Sequence, residues 1–315
     1  MPEISVIMSV YNDSRYLVDS IGSVLNQTFK DLEFIIIDDA STDDSPDIIR
    51  RYQEKDSRIR VIENTTNIGP GESKNKGLNI AKGRYIAIQD GDDISLKDRL
   101  KTQIEYLEKN SDIFLIGGSF INITDTGERT TVYRPITDEA GLRRALENGN
   151  PVRHSTVMFR NRKTAFYRKK FIYAEDDDFL LNILSKGERI INIPDILIKY
   201  RIAHDSITFS DRGKQELFAR KAREFYFQRL KSGGDKYDEF NPEEILRIDI
   251  KKVTDRDILR LEIKANFKKN AFGAVRLFYL RYLRNNTMPD RYFIYYLATF
   301  LPKRIVNFLR RILWG

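Results

Sequence analysis

Short apolar runs alternate with amphipathic stretches through the N-terminal third of the chain. Ile4–Val10 (Ile-Ser-Val-Ile-Met-Ser-Val) predicts a strand that stops at Tyr11-Asn12-Asp13. Leu17, Ile21, Val24 and Leu25 then recur at helical spacing. Leu32–Ile37 predicts a second strand, ending in Asp38-Asp39-Ala40-Ser41-Thr42-Asp43. Ser45-Pro46 predicts a helix start, with serine at the N-cap, proline at the first helical position, and Ile48, Ile49 and Tyr52 facing inward. Ile59–Ile62 predicts a third strand, and the helix after Gly69-Pro70-Gly71 runs through Lys74, Leu78 and Ala81 to a stop at Gly83. Tyr85–Ile88 predicts a fourth strand, which breaks off in Asp90-Gly91-Asp92-Asp93. Such alternation permits right-handed βαβ crossovers, so the sheet is expected to be mainly parallel. Tyr11, Asp38-Asp39 and Asp90–Asp93 would then share one edge, where open α/β sheets place their chemistry.

The pattern loosens beyond this point. Ile113–Ile116 and Phe120–Ile123 are strand-like, with a break expected at Gly117-Gly118, and Thr137–Glu147 predicts a short helix. Asn150–Arg160 contains His154, one of two histidines. In Ala174-Glu175-Asp176-Asp177-Asp178-Phe179-Leu180-Leu181 four acids open an apolar helix, which matching to the helix dipole explains on its own. A further strand after Ile193 leads to His204. Near the C-terminus Phe272, Val275, Phe278, Tyr279 and Tyr282 form an apolar stripe beside Arg281 and Arg284. Ile305, Phe308, Leu309 and Ile312 form a second stripe, with Arg304, Asn307 and Arg311 on another face.

Charge sharpens the contrast between the two ends. From residue 264 onward eleven Lys or Arg stand against one acid, Asp290, so this tail carries +10 and the remainder of the +8 chain sums to −2. Interleaved aromatic and basic residues suit an anionic membrane surface. The same stripes would equally serve packing on protein, including a second copy in a homo-oligomer. A nucleic-acid partner is not expected, because the apolar stripes have no use there. The longest apolar run, Phe293–Leu301, is half the ~18 residues a membrane span needs, and the N-terminus shows no basic leader, so no signal peptide is expected. A hydrophobic content of 41% with 32% charged residues describes a globular chain.

The absence of cysteine excludes disulfides, thiolate metal sites and thiol nucleophiles. No Gly-x-Gly-x-x-Gly follows the first strand and no Walker lysine motif occurs, which excludes dinucleotide-binding and P-loop readings. Three carboxylates within Asp90–Asp93 repel one another unless a cation or hydrogen-bond donors lie among them. Hard oxygen ligands suit Mg²⁺ or Mn²⁺ shared with substrate phosphates. A polar loop in which Asp93 caps a helix at Ile94-Ser95-Leu96 is the plainer reading, and these residues alone leave both open.

The ordered set decides more than any member. Val6–Asn12, Ser23–Thr28, Asp38–Asp43, Asn67-Ile68-Gly69 through Lys74–Gly77, Asp90–Asp93, Glu175-Asp176 and Tyr200–His204 together resemble family 2 glycosyltransferases with the α/β GT-A fold. The resemblance covers Ile4 to about Thr208. It implies a catalytic domain over residues 1–210, with a nucleotide-sugar half over about 1–120 and an acceptor half over about 121–210, then a basic, helical, amphipathic extension over 211–315. It implies inverting transfer of a sugar from a nucleotide-diphosphate donor, UDP foremost, to a hydroxyl of a saccharide or lipid-linked saccharide in cell-surface glycan assembly.

Residue by residue, the resemblance implies that Ser9, Tyr11 and Asp39 hold the nucleotide base and that Asp90 contacts the ribose. Asp92 would ligate a divalent cation, Mn²⁺ or Mg²⁺, with His204 as a second ligand, and Asp176 would be the catalytic base. Glu175 and His154 are secondary, acceptor-side candidates. Lys74 stands where the family often has arginine, and it can neutralise a phosphate without the planar fork. The expected location is the cytoplasm, peripheral on the inner face of a membrane. A phosphoryl-transfer enzyme would place its Asp-x-Asp loop after the first strand, followed by threonine, whereas here it follows the fourth and reads Asp92-Asp93-Ile94. A non-catalytic relative would lack the base or the metal aspartate, and this chain has both.

Overall fold

Strands β1 (Ile4–Val10), β2 (Leu32–Asp38), β3 (Ile59–Glu63) and β4 (Tyr85–Asp90) pair in parallel in the order β3-β2-β1-β4. The computed structural model describes residues 1–202, 212–248, 263, 267, 272–284, 293–302 and 306. Registers set Val10 opposite Asp38 and Ser9 opposite Asp90, so the polar ends of β1, β2 and β4 do share an edge. Alternation along the strands serves two layers of helices. Val6, Met8, Val10, Phe34 and Ile36 bury against Leu17, Ile21 and Val24 of α1 (Ser14–Leu25) and Ile48 and Ile49 of α2 (Ser45–Gln53). On the other face α3 (Pro70–Ile80) lies so close that a Cβ on Gly77 would stand 2.8 Å from Ile7 and 2.9 Å from Ile37.

The second part of the sheet is mixed. Strand β8 (Met158–Arg160) runs antiparallel between β4 and β6 (Ile113–Ile123). Strand β9 (Arg189–Arg201) is parallel to β6, while β5 (Ile94–Ser95) and β7 (Arg129–Tyr133) add antiparallel edges on β9 and β6. The sheet is thus parallel where the sequence alternates regularly and mixed beyond.

Three local expectations change. Strand β6 passes through Gly117-Gly118 without a break, with register shifts, because the missing side chains make room for Asn192, Val152 and Leu197. Asp93 caps no helix: residues 94–95 are a strand, and α4 (Arg99–Lys109) starts later. Helix α3 ends at Ile80, and Gly83 instead lets the chain press against the backbone of Ile4 and Ser5.

Compact units divide the chain at Met1–Ile245 and Leu246–Gly315. The first runs past residue 210, where the sequence reading ends the catalytic part, because Phe218 and Phe225 of α7 (Arg212–Ser232) pack with Phe171, Tyr237 and Phe240. In the second unit α8 (Phe272–Arg284) and α9 (Phe293–Ala298) have a core of their own. Val275, Tyr279 and Tyr282 bury there with Ile263, Phe267, Tyr295, Ala298 and Val306. Much of the first C-terminal stripe therefore faces inward, and Ile305, Phe308, Leu309 and Ile312 lie outside the described residues. The apolar residues left exposed in this unit include Leu280, Ile294, Leu297, Phe300 and Leu301. Among the described residues no helix is long and apolar enough to cross a membrane.

Candidate active site

The turns after β1 and β2 are tied to each other. Asn12 and Ala40 adopt left-handed backbone, with φ of 57° and 60°. Asparagine enters this region readily, whereas alanine holds it only where its surroundings impose it. Here Asn12 N donates to Ser41 Oγ at 3.1 Å, Thr42 N to Asn12 Oδ1 at 2.8 Å, and Asp13 N to Ser45 Oγ at 3.0 Å. Ser45, expected as the cap of α2, thus binds the neighbouring turn, and Asp44 takes the N-cap position. Above this frame Tyr11 is 46% exposed.

Asp39 is buried and engaged on both oxygens. Oδ1 accepts from Asn64 Nδ2 at 2.8 Å and Ile68 N at 2.9 Å, and Oδ2 accepts from Gly69 N at 2.8 Å. Its carboxylate fixes the Asn67–Gly69 turn, where Gly69 supplies a φ of 87° ahead of α3.

Carboxylates crowd the end of β4. A Cβ on Gly91 would run into the Asp13 carboxylate, so the glycine admits Asp13 against the Asp90–Asp92 loop. Burial and the charges of Asp92 and Asp90 push Asp13 up to about 7. Burial and Asp90 likewise raise Asp92 to about 6. Asp93 is different: it is fully buried, accepts from Ser155 Oγ and from Arg201 N at 2.9 Å, and shapes the loop from below. Arg201 donates to the carbonyls of Asp92 at 3.0 Å and Asp125 at 2.8 Å. An all-oxygen set in which burial and neighbouring carboxylates raise Asp13 and Asp92 is suited to a hard divalent cation. Among the described residues no three His, Asp or Glu side chains enclose a metal position, so a cation here would complete its shell from phosphate oxygens or water. His204 lies outside the described residues.

Helix α5 (Glu139–Leu146) precedes α6 (Glu175–Ser185), which begins from Ala174, another left-handed residue with φ of 56°. Its four acids meet four different neighbours. Glu175 faces Lys74 Nζ at 3.5 Å, and Asp176 accepts from Asn150 Nδ2 at 2.9 Å. Asp177 faces Arg223 at 3.9 Å, and Asp178, wholly buried, accepts on both oxygens from the Nε–Nη2 edge of the Arg168 guanidinium. Asp178 is held by Arg168, and Asp177, which burial and the charge of Asp176 push up to about 8, lies near Arg223, whose own hydrogen bond goes to Glu216 at 3.0 Å, while Asp176 accepts only from neutral donors. Burial raises its pKa, against the pull of Lys74 and Arg153.

Lys74 joins the two acidic elements. Its buried Nζ lies 3.5 Å from Glu175 and 3.9 Å from Asp90. Burial disfavours the charged amine, but Glu175, Asp90 and Asp176 outweigh it and hold the group above the ordinary lysine range. His154 is buried behind this pair, with Nε2 2.6 Å from Tyr167 OH. Burial, aided by the charges of Lys74 and Arg153, keeps the ring neutral.

The structure therefore brings Ser9, Tyr11, Asp39, Lys74, Asp90, Asp92, Glu175, Asp176 and His154 to one region of the first unit, on a frame of shared hydrogen bonds and charges. Sequence reasoning misses Asp13, Asn150, Arg153 and Arg201. Asp13 has a signal, since it directly follows the strand-end Tyr11-Asn12. Asn150 and Arg153 have none, because only the packing of distant segments brings them to the acids.

The profile described as Glycosyl transferase family 2 matches residues 5–173. The chain belongs to this family of glycosyltransferases. An uncharacterized glycosyltransferase of Methanocaldococcus jannaschii is 36% identical over 223 residues, 69% of this chain and 77% of the relative. The Escherichia coli protein WfaP, UDP-Glc:alpha-D-GlcNAc-diphosphoundecaprenol beta-1,3-glucosyltransferase, is 34% identical over 213 residues, 66% of this chain and 80% of WfaP. S. aureus TarS in complex with UDP matches with a TM-score of 0.60 at 17% identity, over 95% of this chain and 90% of that one. A longer TarS chain is covered over 42% of its length. The mannosyltransferase PcManGT from Pyrobaculum calidifontis, in complex with GDP-Man and Mn²⁺, matches with 0.55 at 17% identity, over 74% of this chain and 66% of that one. At such identities the likeness speaks to fold, and the fold of this glycosyltransferase is GT-A.

Proposed function

We propose that this glycosyltransferase is an inverting enzyme that moves a hexosyl or N-acetylhexosaminyl group from a UDP-sugar to a hydroxyl of a lipid-linked saccharide, during cell-surface polysaccharide assembly. The observation that carries the reading is Asp176. It is the one acid of the α6 cluster not matched to its own cation, and it shares Lys74 with the donor-side Asp90. The name of WfaP, a UDP-Glc transferase with a diphosphoundecaprenol acceptor, supports the donor and acceptor classes. The UDP complex of TarS supports the nucleotide.

In this reading the exposed Tyr11 and Ser9 receive the base, and Asp39 acts through the Asn67–Gly69 turn it fixes. Asp90 meets the ribose. Asp92, with His204 as a second ligand, holds a divalent cation, as the Mn²⁺ of PcManGT supports. A cation so held supplies Lewis acidity toward the diphosphate. Asp176 accepts the proton of the acceptor hydroxyl while its oxygen attacks the anomeric carbon and the bond to the diphosphate breaks. A single displacement inverts that carbon. The +10 tail and the exposed Leu280, Ile294, Leu297, Phe300 and Leu301 support a seat on the inner face of a membrane, where a lipid-linked acceptor is reached.

The test is release of nucleoside diphosphate from a panel of UDP-sugars by the full chain, with and without Mn²⁺. Divalent-dependent release of UDP is expected, and Asp92→Ala should abolish the divalent dependence of UDP binding. Free phosphate as the only product, or an Asp92→Ala protein with unchanged Mn²⁺ dependence, would overturn the assignment.

A further inference from the structure

Arg153 stands beside the reacting groups with its charge unclaimed. It enters the 3-10 turn His154–Thr156, and the turn fixes its backbone, since Thr156 N and Oγ1 donate to its carbonyl at 2.9 and 2.6 Å. Ser155 and His154 of the same turn are anchored on Asp93 and Tyr167. The guanidinium lies over the Tyr200 ring at 4.0 Å and near the Phe120 ring at 5.3 Å. Stacking on an aromatic face holds the plane of a guanidinium and leaves its N–H edge free.

Among the described residues that edge has no acceptor. Nε is buried without an acceptor, and among the described residues no carboxylate pairs with Arg153. The neighbouring cations are all engaged. Lys74 meets Glu175 and Asp90, Arg201 meets the carbonyls of Asp92 and Asp125, and Arg223 and Arg168 meet Asp177 and Asp178. Two residues on, Ser155 donates to Asp93, and Tyr200, under the guanidinium, precedes Arg201, which donates to the Asp92 carbonyl, so Arg153 stands beside the donor loop.

We propose that Arg153 binds the diphosphate of the nucleotide-sugar donor and stabilises it as the leaving group. The proposal rests on the glycosyltransferase reading of the site. A nucleoside diphosphate adds negative charge to a cleft already lined by Asp13, Asp90, Asp92, Glu175 and Asp176, so one divalent ion does not balance it. A stacked guanidinium with a free edge offers paired N–H donors to phosphate oxygens. As the acceptor oxygen bonds to the anomeric carbon and its proton passes to Asp176, the electron pair of the breaking C–O bond goes to the diphosphate. The contact therefore strengthens towards the transition state.

Calorimetric titration of the full chain with UDP, UMP and uridine in Mn²⁺, and with the guanosine series in parallel, tests the proposal. Arg153→Ala should weaken diphosphate binding about 10- to 100-fold, leave the nucleoside unchanged, and lower kcat on the nucleotide sugar. Arg153→Lys should recover part of the loss, since it keeps the charge without the fork. If Arg153→Ala melts below the assay temperature, Arg153→Met, which keeps an apolar stem against Tyr200, replaces it with the same expectation. Diphosphate affinity equal to that of the unsubstituted chain, or a loss confined to the KM of the acceptor, overturns the assignment of Arg153 and leaves the glycosyltransferase reading intact. Failure of the unsubstituted chain to bind either diphosphate or turn over any nucleotide sugar overturns that reading and this proposal together.

Discussion

Asp176 differs from Asp178 by what each touches. A carboxylate clasped by an arginine is a poor proton acceptor, because accepting a proton breaks the ion pair. Asp176 accepts only from Asn150 and a backbone amide, so its basicity remains available. Asp176→Asn is expected to lower kcat by about 10²–10⁴ while UDP affinity stays unchanged. The group must be ionised to act, so kcat/KM should fall on the acid side, through a pKa that burial sets above the ordinary carboxylate value. The asparagine variant should lose that acid limb. A pH–rate profile of both proteins decides it, and an acid limb surviving in Asp176→Asn would move the role to another group.

At the scale of elements the start of α6 shows how one helix turn serves two tasks. Successive residues project about 100° apart, so four consecutive acids address four directions. Two face the cleft and two face Arg223 and Arg168. Arg168 also bridges Asp235 at 2.7 Å, which ties α6 to the segment after α7. Removing Asp178 leaves two largely buried guanidiniums, Arg168 and Arg229, on the single carboxylate of Asp235. Asp178→Asn should therefore destabilise the protein by about 3 kcal/mol, read as a lower denaturant midpoint, with kcat per folded molecule nearly unchanged. A variant that keeps its stability but loses kcat would make Asp178 a catalytic group.

On the scale of the whole molecule the catalytic unit and the C-terminal unit carry opposite charge balances, and the exposed apolar side chains of the second unit have no described cover. Flotation of the full chain with vesicles containing anionic lipid should show salt-sensitive binding. Ile294→Asp combined with Leu297→Asp, at side chains 55% and 49% exposed, should weaken that binding about tenfold or more with no change in UDP affinity. Equal flotation of both proteins, or of neither, would make these residues a protein-packing surface instead.

Strands β1–β4, the helices between them and the carboxylates at their ends were legible in the sequence. Each depends on periodicity and chain order over short distances, and a parallel crossover fixes which strand ends share an edge. The candidate base was legible only as a pair within a run of acids, because matching to the helix dipole predicts the same run. Which acid stays free was decided by Arg168 and Arg223, which reach α6 from other segments. The same reason hides Asn150 and Arg153, and it hides the continuity of β6 through Gly117-Gly118, where side chains of β9 fill the space. Local pattern determined the elements and the donor-side edge. Pairing between distant segments decided which charges are neutralised and which are left to act.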